Sequence, residues 1–107
     1  MKKYAFYLPQ FHICESNKEW GENFTDWERV KGSHSLYNGH KPVRLPLNGE
    51  YDLNSIDELV RHAKMQNDLN LDAFALYHYR FDSDSRALYR PLELILENKE
   101  IDFKFFL

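Results

Sequence analysis

Three short apolar segments, separated by stretches with helical spacing, constrain the fold of this chain most strongly. They lie at 3–8, 73–77 and 103–107. The first is apolar on both faces, which is typical of a strand buried on both sides of a parallel sheet. Strands that alternate with helices predict parallel strands joined by right-handed crossovers. The sequence therefore predicts an α/β fold with the element order β-α-β-α-β.

Two helices are predicted between these strands. Ser55 and Glu58 have the S-x-x-E spacing of a capping box at a helix start. We expect that helix to bury one apolar face, made of Ile56, Leu59, Val60, Ala63 and Leu69. His62, in the middle of the helix, is expected to be solvated. A polar loop at 82–85 follows the second strand, and Pro91 suits the first turn of a helix that ends near position 98.

Two helices are too few to cover three parallel strands, and parallel sheets are rarely left bare. We therefore predict that residues 1–107 form the N-terminal β-α-β-α-β portion of a (β/α)8 TIM-type barrel, truncated at the C-terminus. In such a barrel, ligands bind at the C-terminal ends of the strands. The alternative is a small self-contained α/β domain with an unrelated binding role. That alternative fits the composition but leaves the sheet bare.

The first βα loop, at about 9–54, is much longer than ordinary connections between a strand and a helix, and such loops are usually functional or disordered. It is rich in aromatic residues, which disordered segments lack. We therefore predict an ordered loop with a short helix around Asn23–Val30.

Polar and aromatic side chains follow the first two strands, where a barrel would place its ligand. Gln10 and His12 follow the first strand, and Tyr77, His78 and Tyr79 follow the second. Sugars present C–H patches beside hydroxyl groups, so their binding sites combine flat rings with hydrogen-bonding groups. These residues, with Trp27 of the loop, are therefore predicted to bind a carbohydrate. The alternative is that the rings pack the barrel mouth and the loop.

Other functional classes are not expected. The net charge of −3 and the absence of basic runs argue against nucleic-acid binding. The five histidines have no spacing that would place two of them on one metal ion, and Cys14 is alone. No glycine-rich phosphate-binding motif is present, so no cofactor is predicted.

No apolar stretch approaches the length of about 20 residues of a membrane span, and no signal peptide is evident, so a cytoplasmic location is expected.

Hydrolysis or transfer at a glycosidic bond usually needs two carboxyl groups beside the anomeric carbon. Asp26 is the one catalytic candidate, although the sequence favours a role for it as the cap of the short helix or as an acceptor of a hydrogen bond from a sugar hydroxyl. Neither complete strand ends in a carboxylate. A catalytic pair within this chain is therefore not expected.

Ordered motifs cover nearly the whole chain. They are Ala5-Phe6-Tyr7-Leu8-Pro9-Gln10-Phe11-His12, Trp20-Gly21 with Phe24-Thr25-Asp26-Trp27, Gly39-His40 with Pro42 and Arg44-Leu45-Pro46, Tyr51-Asp52-Leu53, Tyr77-His78-Tyr79 with Phe81, and Arg90-Pro91-Leu92. These motifs resemble those of the WbsX-like glycosyltransferase family, which is akin to glycoside hydrolase family 99. The chain departs from the family pattern at Ile13, Asn23 and Arg80, where the family has Pro, Gly and Trp.

The resemblance implies a (β/α)8 barrel that acts on glycosidic bonds in the biosynthesis of lipopolysaccharide O-antigen or capsule. It covers about the first third of the family's domain, and it adds Arg44 to the predicted substrate-binding residues. The family's later carboxylates would lie beyond Leu107, so this chain alone is expected to be inactive. The rest of the barrel could then be supplied by a second chain. The alternative is a non-catalytic remnant or a carbohydrate-binding module.

Overall fold

A computed structural model describes residues 1–82 and 85–107. The strands are β1 (Tyr4–Tyr7), β2 (Ala73–Leu76), β3 (Tyr79–Arg80), β4 (Arg86–Ala87) and β5 (Phe105–Phe106). The helices are a 3-10 helix (Glu15–Trp20), α1 (Trp27–Lys31), α2 (Ile56–Asp68) and α3 (Arg90–Glu97). The predicted β-α-β-α-β order of the main elements is thereby confirmed.

The main sheet has three parallel strands in the order β1-β2-β5, so strands that follow one another in the chain are neighbours. Tyr4 pairs with Ala73 and Tyr7 with Leu76, while Phe74 pairs with Phe105 on the other side. Both long connections contain a helix, as crossovers between parallel strands require. The parallel sheet expected from the sequence is therefore present.

One face of this sheet carries the core. Side chains alternate along a strand, so Phe74 and Leu76 of β2 point to the same side and are both buried. They form a single cluster with residues of α2, α3 and the adjoining loops, namely Leu53, Leu59, Ala63, Leu92, Leu94, Ile95 and Phe103. Both helices therefore cover the same face of the sheet.

The opposite face is uncovered in the described part of the chain. Tyr4, Phe6 and Phe106 point to this side and are 54%, 82% and 45% exposed. The Tyr4 and Phe106 rings meet edge-on at 5.2 Å, and Phe6 lies 6.0 Å from the ring of Tyr77. We call this surface, made of Tyr4, Phe6, Ala73, Ala75, Tyr77 and Phe106, the open face.

The helix boundaries follow local signals. Ser55 is the N-cap of α2, as its spacing to Glu58 predicts, although its side chain makes no capping hydrogen bond. Glu58 instead pairs with Arg61 at 2.8 Å. Pro91 lies in the first turn of α3, where a backbone N–H has no acceptor within the helix, so its missing N–H breaks no helical hydrogen bond. The short loop helix begins at Trp27 rather than near position 23.

The predicted buried face of α2 is wrong in part. Leu59 and Ala63 are buried, but Ile56, Val60 and Leu69 are 40%, 47% and 63% exposed. The buried stripe is completed by His62 and Gln66, which are 8% and 0% exposed. The expectation that His62 is solvated is therefore also wrong. Both polar side chains are buried because distant residues satisfy their hydrogen bonds.

The segment after β2 contains a small hairpin that the sequence did not indicate. β3 and β4 pair antiparallel, with Tyr79 opposite Ala87 and Arg80 opposite Arg86. The predicted polar loop at 82–85 falls between them, and its residues Ser83 and Asp84 lie outside the described residues. The hairpin joins the end of β2 to the N-terminus of α3.

Candidate functional site

A cluster of aromatic rings holds distant parts of the long loop together. Trp27 is 5% exposed and its ring lies 4.2 Å from that of Phe11 and 5.0 Å from that of Tyr51. Its indole Nε1–H donates to the backbone oxygen of Tyr51 at 2.7 Å. A ring so enclosed offers little surface to a sugar. The structure thus gives Trp27 a packing position, which is the alternative considered for the loop aromatics.

The open face ends in exposed aromatic and imidazole groups at the C-terminal end of β2. Tyr77 is 49% exposed, and its backbone N–H donates to the Tyr7 oxygen at 3.0 Å, which extends the β1–β2 ladder. His78 is half-buried. Both residues line a shallow pocket of about 270 Å³ together with Phe6 and Leu107. This pocket combines ring faces with an imidazole at the strand ends, as a sugar site requires.

His12 lies in a different place from Tyr77 and His78. It is 1% exposed, and neither ring nitrogen has a hydrogen-bond partner among the described residues. It lines a cleft between the first loop and the start of α3, which we call the His12 cleft: His12, Cys14, Asn54, Tyr89, Arg90 and Glu93. Burial lowers the pKa of His12 to about 4, although the negative charge of Asp52 partly opposes the shift. The imidazole is therefore neutral near pH 7.

The other predicted site residues are spread over the surface. Tyr79 is 39% exposed in the hairpin strand β3. Arg44 is exposed in the irregular part of the long loop, and Gln10 is half-buried three residues beyond the end of β1. Asp26 occupies the N-cap position of α1, but its side chain makes no capping bond. Tyr77 and His78 therefore line one pocket, and His12, Trp27 and Arg44 are not among the residues that line it.

A buried polar network under β1 is the feature that sequence reasoning missed. The Tyr7 hydroxyl is hydrogen-bonded to Nδ1 of His62 at 2.7 Å, and the His62 ring meets that of Tyr51 edge-on at 4.8 Å. Burial raises the pKa of Tyr7, and burial followed by the charge of Arg61 lowers the pKa of His62. These groups are therefore neutral, and they line a groove of about 360 Å³ beside β1.

Neither a metal site nor a membrane span is present in residues 1–82 and 85–107. No group of three or more His, Cys, Asp or Glu side chains there could hold a metal ion. No helix in the same residues has the length and apolar character needed to cross a lipid bilayer.

The two buried histidines make stability depend on pH. Both have a folded-state pKa below the ordinary value of 6.5, so the unfolded chain binds protons more readily. We therefore expect the free energy of unfolding to fall as the pH drops from about 6.5 towards 4, by no more than about 1.4 kcal/mol per pH unit for each histidine. Urea unfolding at pH 7, 6 and 5 measures this slope.

Two variants isolate the contribution of His12. His12→Phe should show a shallower slope than the unsubstituted chain, because it removes one of the two titrating groups. His34→Phe, in an exposed loop, should keep the original slope. Equal slopes for all three proteins would contradict a buried neutral imidazole at position 12.

The fold and its strand ends define a parallel α/β protein with aromatic and imidazole groups at one end of the sheet. A sequence profile described as "Glycosyltransferase WbsX" matches residues 3–107. The chain therefore belongs to the WbsX glycosyltransferase family, as its motifs predict.

Two curated relatives are each named "Uncharacterized protein WxcX", from two strains of Xanthomonas campestris pv. campestris. Each is 42% identical over 79 residues, which is 72% of this chain. The match spans 11% of the length of each relative. No solved structure matches this chain.

Proposed function

We propose that this chain is the N-terminal part of a barrel-shaped glycosyltransferase that acts on glycosidic bonds in the biosynthesis of lipopolysaccharide O-antigen or capsule. Membership of the WbsX family supports transfer of a sugar and a role in polysaccharide biosynthesis. The resemblance to glycoside hydrolase family 99 supports the barrel architecture. In this proposal the ligand is a glycan, no cofactor is needed, and the protein works in the cytoplasm.

The winding of the sheet supports a barrel. Strand order follows chain order, and α2 and α3 cover the same face. A (β/α)8 barrel has this arrangement, whereas a doubly wound sheet reverses its strand order and carries helices on both faces. The open face would become the barrel interior, where its aromatic side chains would be packed. Further strands, from more of the same polypeptide or from a second one, would cover it.

The strand-end pocket at Tyr77 and His78 is the observation that carries the proposed sugar site. A half-exposed ring stands there beside an imidazole, at the end of the sheet where barrel enzymes bind their ligands. Gln10, Tyr79 and Arg44 are proposed to contribute hydrogen bonds to the same glycan. The catalytic carboxylates are proposed to come from the remaining strands, because β1 and β2 end without one.

Chromosomal variants test this site in the host cell. Tyr77→Ala removes the ring at the C-terminal strand end, and we expect it to reduce the surface polysaccharide at least tenfold, as deletion of the gene would. Tyr37→Ala is the matched control, because Tyr37 is 69% exposed in the long loop and does not line the strand-end pocket. It should keep most of the polysaccharide. Gel electrophoresis with sugar analysis measures the product, and immunoblotting verifies equal protein amounts.

The composition and the amount of the polysaccharide distinguish a transferase from a non-catalytic binding module. Loss of a transferase should leave a glycan truncated at one linkage, whereas loss of a non-catalytic binding module should lower the amount without changing the composition. Unchanged polysaccharide after gene deletion would contradict the proposed role. Equal losses in Tyr77→Ala and Tyr37→Ala would contradict a sugar site at the strand end.

A further inference from the structure

One stretch of the long loop carries positive charge and has no acidic residue of its own. We call residues 41–48 the basic loop segment, because it contains Lys41 and Arg44 and neither aspartate nor glutamate. Neither cation forms a salt bridge within the described part of the chain. The two glutamates that flank the segment in the sequence both pair with Lys31 at 3.2 Å. The segment therefore presents positive charge, although the whole chain has a net charge of −3.

Every residue of the basic loop segment is exposed, including three apolar ones at alternate positions. Val43 and Leu45 are 63% and 50% exposed, and Leu47 is 102% exposed, so its side chain projects fully into solvent. Pro42 and Pro46 favour an extended backbone at the residues before them. Alternate side chains of an extended chain point to the same side. The three apolar side chains are therefore expected to project in one direction.

A tight turn places Leu47 at the tip of the segment. The Gly49 N–H donates to the Pro46 oxygen at 2.9 Å, so Leu47 and Asn48 occupy the two central positions of the turn. Gly49 has a φ of +82°, a left-handed conformation that glycine adopts without strain. The exposure of Leu47 therefore follows from the path of the backbone and not from a choice of side-chain rotamer.

The apolar surface continues from the basic loop segment onto α2. Pro46 lines the groove beside β1 together with Met65 and Leu69. These two side chains of α2 are 45% and 63% exposed. Exposed apolar residues that occur singly are ordinary, whereas a group of them rimmed by polar residues marks a contact with another molecule. The segment and this flank of α2 form such a group.

Two features of the segment match a lipid surface better than a protein surface. Lysine is depleted in protein–protein interfaces, whereas exposed Lys and Arg side chains are attracted to the negative headgroups of anionic lipids. A leucine that projects alone from a turn does not suit a flat, closely packed interface. The boundary between lipid headgroups and acyl chains accepts such a side chain, as it accepts the apolar side chains of interfacial helices.

We propose that the basic loop segment binds the surface of an anionic phospholipid membrane, with Leu45 and Leu47 inserted between the headgroups and Lys41 at the lipid phosphates. The leucines contribute apolar contact, and the cation draws the loop to the negative surface. This inference goes beyond the proposed function, because it concerns where the protein is held and not what it transfers. It does not depend on the strand-end sugar site.

Sedimentation with sucrose-loaded vesicles tests this contact on the purified chain. We expect the chain to bind vesicles of equal parts phosphatidylglycerol and phosphatidylethanolamine, and to bind vesicles of phosphatidylcholine at least tenfold more weakly. Raising the NaCl concentration from about 0.05 M to about 0.5 M should weaken binding at least fivefold, because salt screens the attraction between the loop and the lipid charges. The same centrifugation without vesicles verifies that the chain itself stays in solution.

Variants make the result specific to the segment. Leu47→Ser should lower the affinity for the anionic vesicles at least tenfold, because it withdraws one leucine side chain from an apolar environment. Leu96→Ser is the matched control, because Leu96 is 55% exposed but lies on α3. It should bind as the unsubstituted chain does. Lys41→Gln should lower the affinity about fivefold, and Arg44 is kept because it is already proposed to bind the glycan.

Tryptophan fluorescence locates the contact. The emission of Leu47→Trp should shift to shorter wavelengths when anionic vesicles are added, because the new indole leaves water for the headgroup boundary. The emission of Leu96→Trp should not show this added shift. Trp20 and Trp27 are common to both variants, so the difference between the spectra reports on position 47. Circular dichroism verifies the same fold in all variants.

Several results would overturn the membrane contact. No sedimentation with anionic vesicles at low salt would refute it, and so would equal binding to anionic and phosphatidylcholine vesicles. Equal losses in Leu47→Ser and Leu96→Ser would place the contact elsewhere on the protein. A dimer in analytical ultracentrifugation that Leu47→Ser dissociates would replace the membrane by a second copy of the chain. None of these results alters the polysaccharide expected for the Tyr77→Ala strain, so the two proposals fail separately.

Discussion

Replacing Leu59 by alanine should lower the free energy of unfolding by about 3 to 4 kcal/mol, within the range of about 2–5 kcal/mol that such core truncations cost. Leu59 is 0% exposed and lies on α2 in the cluster that joins the helices to β2. Its loss removes apolar contacts and leaves a cavity that Phe74 and Leu76 of the strand cannot fill. Urea unfolding followed by circular dichroism measures the change.

Leu96→Ala is the matched control for this prediction. Leu96 also lies in a helix, α3, but is 55% exposed, so the same truncation removes little buried surface. The expected loss is less than about 1 kcal/mol, because alanine also has the higher helix propensity. A similar loss for both variants would mean that Leu59 does not lie in the core.

Replacing Gln66 by leucine should cost about 1 to 3 kcal/mol, the usual penalty for leaving a buried polar group without its partner. The Gln66 side chain is 0% exposed and makes two hydrogen bonds to the backbone of Lys104. Its Nε2 donates to the Lys104 oxygen at 2.7 Å, and its Oε1 accepts from the Lys104 N–H at 3.0 Å. Leucine fills the space but leaves that N–H unpaired.

Hydrogen exchange locates the effect of this substitution. The Lys104 N–H should exchange at least tenfold faster in Gln66→Leu, because the bond that attaches the segment before β5 to α2 is lost. Asn67→Ala, one position along α2, removes only exposed hydrogen bonds to Asp102 and to the Lys104 ammonium group, so it should change stability by less than about 0.5 kcal/mol. Unchanged exchange at Lys104 in Gln66→Leu would show that another group takes over the bond.

Local signals explain how much of the fold the sequence predicts. The apolar runs define β1, β2 and β5 to within a few residues, and Ser55 and Pro91 define where α2 and α3 begin. These features depend on residues that are neighbours in the chain. The β3–β4 hairpin was missed because strands of two residues produce no periodic pattern.

The residue types of the candidate site could be predicted from the sequence, but which of these residues line the same pocket could not. Tyr77 and His78 follow a strand, and the structure places them at its end beside Phe6. His12 also follows a strand, yet it lines a different cleft, together with residues at the start of α3. The sequence predicts that the Trp27 ring stacks on a sugar, but the rings of Phe11 and Tyr51 enclose it.

The sequence by itself determined the order of strands and helices, because hydrophobic period, caps and turn residues act over a few positions. Tertiary structure alone decided which face of α2 is buried. From the sequence, His62 and Gln66 are expected at the surface. They are buried because Tyr7, 55 positions from His62, and Lys104, 38 positions from Gln66, satisfy their hydrogen bonds. The open aromatic face and the burial of the His12 ring likewise follow from contacts across the chain, which no local pattern encodes.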